Sequence, residues 1–216
     1  MAEKFHAELT TLRCETAELA SQGRNMLRAS IDSLIRQDAE LALSVINRKD
    51  EMRMQEIRLE ECCYQLIALN QPVAKDMRVI VSSLKVISAS GRVGRYGKVI
   101  AKIVGKISDK PHIAKLMSIP HMAELVIDMV DDSIKAYATD DVRGIREFSG
   151  RDDVIDALRH SIFREGVTWM IEDPKNIPRC THYIMIARYL ERCADHACKI
   201  AENVYYMNTG ERIEIH

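Results

Sequence analysis

The stretch LKVISASGRVGRYGKVIAK, residues 84–102, aligns without a gap on IMIARYLERCADHACKIAE, residues 184–202. The two are 100 residues apart, and Arg92/Arg192, Ile100/Ile200 and Ala101/Ala201 coincide. Upstream of the first stretch, Val73, Met77, Ile80, Leu84, Ile87, Gly91 and Gly94 recur at steps of four and three. That is the spacing of a helix seam packed against other helices. A looser echo joins IRQDAELALSVINRKDE, residues 35–51, to ATDDVRGIREFSGRDDV, residues 138–154. One supersecondary unit is therefore used twice, which implies two pseudo-symmetric sites or surfaces.

Working outward, Phe5, Leu9, Leu12, Thr16, Leu19, Gly23, Met26 and Ser30 form an N-terminal seam of the same kind. A second helix is expected over 39–69, broken by Asn70-Gln71-Pro72, with Pro72 as the first residue of the third. Pro111 and Pro120 mark a linker. Beyond it, helices are expected over 121–139, over 141–172, and from there to the Asn208-Thr209-Gly210 stop, where Gly takes a left-handed cap. The expected fold is all-α: six helices in two tandem pseudo-symmetric three-helix bundles, residues 1–110 and 111–216.

Composition agrees with that plan. The chain has 216 residues, 31 Lys+Arg against 32 Asp+Glu, and 47% apolar residues. The net charge of -1 excludes the basic excess of a nucleic-acid binder, and the apolar fraction excludes disorder. Only 9 Gly and 5 Pro argue for helices over loops or sheet. No apolar run approaches the roughly 20 residues of a membrane span. The start, MAEKFHAELT, lacks the apolar heart of a signal peptide, so the protein is expected in the cytoplasm. Its 6 cysteines, with Cys62-Cys63 adjacent and Cys193 and Cys198 not forming C-x-x-C, read as reduced thiols rather than zinc ligands.

The residues with the most chemistry are paired carboxylates. Asp152 and Asp156 lie four apart, as do Glu191 and Asp195, so each pair projects from one helix face. The repeat puts Glu191 at the seam position of Gly91, where a carboxylate needs a compensating cation. Two such faces opposed would offer oxygen ligands to a hard or borderline metal. Pairing with Arg188, Arg192 or Arg159 on solvated faces accounts for the same residues equally well.

QPVAKDMR, residues 71–78, resembles the P-x-A-x-D-L-R motif of the PhoU phosphate-transport regulators. LERCADHACKIAENV, residues 190–204, is similar to that family's L-E-R-I-x-D-H-x-x-N-I-A-E signature, and VYYMNTGE, residues 204–211, continues the likeness. The resemblance runs over nearly the whole chain and includes the D-x-x-x-D in RDDVIDAL. It implies two three-helix bundles whose E/D-x-x-x-D motifs hold iron or another divalent metal. It further implies a cytoplasmic, non-enzymatic regulator at the inner face of the membrane. Its partner would be the ATPase subunit of the phosphate-specific ABC transporter, with a phosphate-sensing histidine kinase as a second target and a homodimer as its own assembly. Carried across, the metal ligands are Asp152, Asp156, Glu191 and Asp195, with His196 and Glu202 as secondary candidates. The metal would be iron, manganese, zinc or magnesium. Lys199 stands where the family has Asn, at the edge of that site.

The first half departs from the pattern. Where the family has E-R-I-G-D, this chain has Gly91-Arg92-Val93-Gly94-Arg95, and the earlier D-x-x-x-D reads Asp50-Glu51-Met52-Arg53-Met54. One metal site is therefore expected rather than two, with Arg95 supplying positive charge to Asp50 or a neighbour. Gly91, Gly94 and Gly97 inside a helix point to close packing, a local break, or an anion site at Arg92, Arg95 and Lys98. GRVGRYGK has neither the spacing of a Walker loop nor a G-x-G-x-x-G. Asp76 suits a helix N-terminus, and with Arg78 it is a candidate partner contact. Trp169, Tyr205 and Tyr206 read as core or subunit-contact residues.

Two rival classes remain at this stage. A di-metal carboxylate enzyme in a helical bundle would use Glu-x-x-His, yet Ala194 stands three residues after Glu191. A purely structural module would have every carboxylate salt-bridged.

Overall fold

The computed structural model describes residues 2–109 and 111–215, and among them there are helices and no strands. The helices are α1 (Ala2–Arg36), α2 (Ala39–Asn47), α3 (Lys49–Asn70), α4 (Ala74–Ile107), α5 (Ile119–Thr139), α6 (Phe148–Glu172) and α7 (Ile177–Thr209). The expected second helix is bent: α2 and α3 meet at Arg48, and counting them as one unit gives the six of the sequence reading. Asp38 starts this unit by accepting the Leu41 N–H at 2.9 Å.

Three starts differ from expectation, α5 beginning at Ile119 ahead of His121. α4 begins at Ala74, because Val73 is still extended, and Gln71 before it takes a left-handed conformation. α6 begins at Phe148 and not near Asp141. The Asp141 carboxylate accepts the Arg143 N–H at 3.1 Å and its guanidinium at 2.6 Å, which holds 141–144 in a local turn. At the other end of the chain, Gly210 closes α7 at φ 80, as expected.

α1, α4, α7 and α5 pack in that cyclic order, α2 and α3 cover the α1/α4 side, and α6 covers the α5/α7 side. The seam of α1 is buried as read, with Leu12, Thr16 and Leu19 wholly enclosed. One continuous apolar cluster includes Leu12, Ile87, Val126 and Ile186, so the two repeats share a core. The expected boundary at residue 110 falls outside the described residues. Beside it, Arg179 of α7 holds the carbonyls of Ile107 (2.9 Å) and Pro111. His112 bridges the Leu34 carbonyl (2.8 Å) and the Tyr183 hydroxyl (3.0 Å), fastening the linker to both repeats.

α4 runs unbroken through its glycines. A Cβ on Gly97 would meet the backbone of Met26 and Leu27 at 2.8–3.0 Å, so this glycine lets α1 lie closer to α4 than any other residue would. Close packing is the correct one of the three readings for Gly97.

Candidate functional site

α6 packs along α7 and brings the two carboxylate pairs onto one surface. Burial, then the charges of Asp195, Asp156, Asp153 and Glu191, push the Asp152 carboxyl up to about 6. Burial also raises Glu191 and Asp195, with Arg159 and Arg192 opposing at Glu191 and Arg192 at Asp195. Arg159 Nε is close without being aligned, 3.8 Å from Asp156 and 3.6 Å from Glu191, whereas Arg192 Nη1 donates a hydrogen bond to Asp195 at 3.2 Å. Glu191 Oε2 and Arg159 Nε are both buried with no hydrogen-bond partner. Negative charge is thus concentrated there and only partly cancelled.

Four carboxylates suit a hard or borderline cation. Among the described residues, no three His, Cys, Asp or Glu side chains converge closely enough to hold one. Arg159, placed between the acids of α6 and those of α7, supplies the positive charge instead. The donor chemistry fits a metal; holding it requires Arg159 to leave and the carboxylates to close in.

The first repeat builds the same frame with the charges reversed. Continuing the register of residues 35–51 on 138–154, the buried pairs Val45/Phe148, Met52/Ile155 and Leu59/Ile162 coincide. In that register Lys49 stands for Asp152 and Arg53 for Asp156, and in the register of residues 84–102 on 184–202 Gly91 stands for Glu191 and Arg95 for Asp195. The arginine among the acids, Arg159, becomes an acid among cations, Glu56. The Glu56 side chain is only 4% exposed and lies 2.9 Å from Arg95 Nη1 and 3.1 Å from Arg53 Nη1. Gly91 makes room for it, since a Cβ there would sit 2.7 Å from Glu56 Oε1.

This narrows one expectation and corrects another. Of Asp50 and its neighbours, Arg95 pairs with Glu56, while the Asp50 side chain is 85% exposed and bridged to Lys49 at 3.3 Å. The D-x-x-x-D assignment to Asp50 and Met54 is one residue out of phase. One residue turns a helix by about 100°, which carries both of these side chains to the solvent side.

Two separate segments, residues 16–104 and 119–204, match the PhoU domain family, one in each repeat. The chain belongs to the PhoU family. It is 35% identical to the phosphate-specific transport system accessory protein PhoU homolog of Rhizobium meliloti (strain 1021), over 95% of this chain and 87% of that one. The homolog of Aquifex aeolicus (strain VF5) is 32% identical over 98% of this chain and 96% of its own. The crystal structure of PhoU from Pseudomonas aeruginosa superposes with a TM-score of 0.91 at 29% identity, covering 96% of this chain and all of that one. The phosphate transport system regulatory protein PhoU from Streptococcus pneumoniae gives 0.89 at 25% identity, covering 97% and 99%. Membership places the chain among accessory and regulatory proteins rather than enzymes. No helix among its described residues is long and apolar enough to cross a membrane.

Within the PhoU frame the remaining candidates disperse. His196 stacks on Tyr96 at 5.9 Å in the α4–α7 interface, where burial and then Arg92, Arg95, Arg192 and Lys199 push its pKa down to about 4. Glu202 is bridged to Lys199 at 2.9 Å and accepts the Ile215 N–H at 3.0 Å, tying down the tail. Arg92 is exposed and acts on His196, apart from the cavity that Arg95 and Lys98 line. Asp76 sits in the first turn of α4, and the Arg78 guanidinium lies against Gly210 at the end of α7. All six cysteines are free thiols. The sequence reading missed Glu56, Lys49 and Arg53, although carrying the 35–51 register eight residues further would have exposed the inversion.

Proposed function

We propose that this chain is an accessory regulator of phosphate-specific transport that works by binding on the cytoplasmic side of the membrane. The observation that carries it is the near-full-length likeness to relatives described as phosphate-specific transport system accessory proteins. Its direct target is the ATPase subunit of the phosphate ABC transporter, and a phosphate-sensing histidine kinase is a second target where the host has one.

Asp152, Asp156, Glu191 and Asp195 hold one metal ion in the second repeat, of the iron, manganese, zinc or magnesium class. Bound there, the ion would take the place of Arg159 as the positive charge among these carboxylates, and metal loading would thereby be coupled to stability and to the surface offered to the partner. The first repeat needs no ion, because Arg53 and Arg95 already neutralise Glu56.

The test is co-purification of the transporter's ATPase subunit with the tagged chain, metal-loaded and after chelation. Retention of the ATPase supports the reading, and no retention in either state overturns it. Metal analysis separates the metal-bearing form from a module that is salt-bridged throughout. One equivalent in the wild type, lost in Glu191→Ala and Asp195→Ala, is the expected result.

A further inference from the structure

Between α1, α3 and α4 lies a cavity of about 130 Å³, with buried Met26, Met52 and Glu56 on its floor and Lys49, Arg53, Arg95 and Lys98 around its mouth. The geometry points to a binding site for a small tetrahedral oxyanion, with free inorganic phosphate as the ligand to test. Independent features agree on this.

The charge is only partly cancelled. Four cations line the cavity against the buried carboxylate of Glu56, which Arg53 and Arg95 both engage, and the exposed carboxylate of Asp50 beside Lys49. Among the described residues neither Arg53 nor Arg95 has a carboxylate partner other than Glu56, and planar guanidinium forks match tetrahedral oxyanions well. Lys49 has only the solvent-facing Asp50 beside it. Lys98 is pushed down by burial and then by Lys102, Lys49 and Arg95, a repulsion that a bound anion relieves.

The size is selective. A volume of about 130 Å³ is room for roughly four waters at about 30 Å³ each. It is well under the roughly 300 Å³ at which pockets for larger organic ligands begin. A phosphate with one or two waters fits this volume; a nucleotide does not.

The site is also built into the fold. Glu56, 4% exposed and held by Arg53 and Arg95, fixes both guanidinium groups before any ligand arrives. The same helical frame that gathers acids in the second repeat gathers cations here at three of the four positions, Lys49, Arg53 and Arg95, with Gly91 at the fourth. A frame suited to a metal in one repeat is suited to an anion in the other.

The experiment is isothermal titration calorimetry of the full chain with inorganic phosphate at constant ionic strength, with chloride as the control. Lys98→Met and Arg53→Met are the variants, both at the mouth and away from the core, with folding checked by circular dichroism. A saturable one-to-one heat in the wild type is expected, weakened about tenfold or more in each variant. It should be unchanged in Glu172→Gln, an exposed position at the end of α6 in the other repeat. No saturable binding in the wild type, or wild-type affinity retained in both mouth variants, overturns the site. Tighter binding of O-phosphoserine than of phosphate overturns the assignment to a free ion. None of these outcomes depends on whether the chain binds the transporter's ATPase.

Discussion

Replacing Asp152 by Asn probes the charge crowding between α6 and α7 directly. The folded-state pKa of about 6 against an ordinary 3.8 is a gap of roughly 2 units. At about 1.36 kcal/mol per unit this is ~3 kcal/mol in the unscreened limit. Asp152 is partly exposed, so solvent screening leaves about 1–2 kcal/mol. The sign follows from the direction of the shift. Above pH 6 the carboxylate is charged in both states, and the folded protein bears the whole penalty. As pH falls through 6, folded Asp152 takes up a proton while the unfolded residue stays charged until near 3.8, so the wild type recovers. Asp152→Asn is therefore more stable than wild type at pH 7.5 with chelator present, by about 2–8 °C in Tm for a chain of this size. The advantage closes towards pH 4. Urea denaturation at pH 7.5 and 4.5 measures both ends. Adding manganese or zinc reverses the order, because the wild type gains from the ion and the variant has lost a ligand. A variant no more stable than wild type at pH 7.5, or one with the same gain at pH 4.5, refutes the crowding argument.

Other expectations concern packing and the inverted repeat. Gly97→Ala and Gly105→Ala change the same residue type in α4 with opposite results. The first drives a Cβ into the backbone of Met26 and Leu27 and costs about 1–2 kcal/mol net by overpacking. The second meets nothing within 4 Å and gains about 0.5–1 kcal/mol from helix propensity, both read by denaturant melts. Glu56→Gln leaves Arg53 and Arg95 without a counter-charge, lowering stability by about 1–2 kcal/mol, since both guanidinium groups keep contact with water. His196, held down near 4, makes the protein acid-sensitive: between pH 6.5 and 4 the unfolded state binds a proton that the folded state does not. His196→Phe keeps a ring against Tyr96 and flattens the loss of stability over that range in a pH series of thermal melts.

Much of the fold was legible in the chain because the signals are local. The four-three seams of α1 and α4, the stop at Gly210 and the 100-residue repeat are matters of spacing along the chain. The α1 seam is buried throughout and Gly210 closes α7, while the α4 seam is buried at Ile80, Ile87, Gly91 and Gly94, half-buried at Met77 and Leu84, and exposed at Val73 ahead of the helix. The errors arose where a side chain competes with the backbone, as at Asp141, or where a helix bends within an otherwise continuous pattern, as at Arg48. The acid cluster was equally visible, since residues four apart share a face whatever surrounds them. Its cations were not. Whether Arg159 stands beside Glu191 depends on how α6 is turned against α7, which no single-helix pattern encodes.

By itself the sequence determined the helices, their order, their duplication and the existence of two carboxylate pairs, because each is a matter of period along the chain. Only the tertiary structure decided the phase between neighbouring helices. A single residue of error there is a rotation of about 100°, enough to replace Asp50 by Lys49 at the α3–α4 interface. That phase turned a first repeat that reads as a lost metal motif into a cationic cavity closed over Glu56. It made the two halves opposite in charge while leaving them alike in fold.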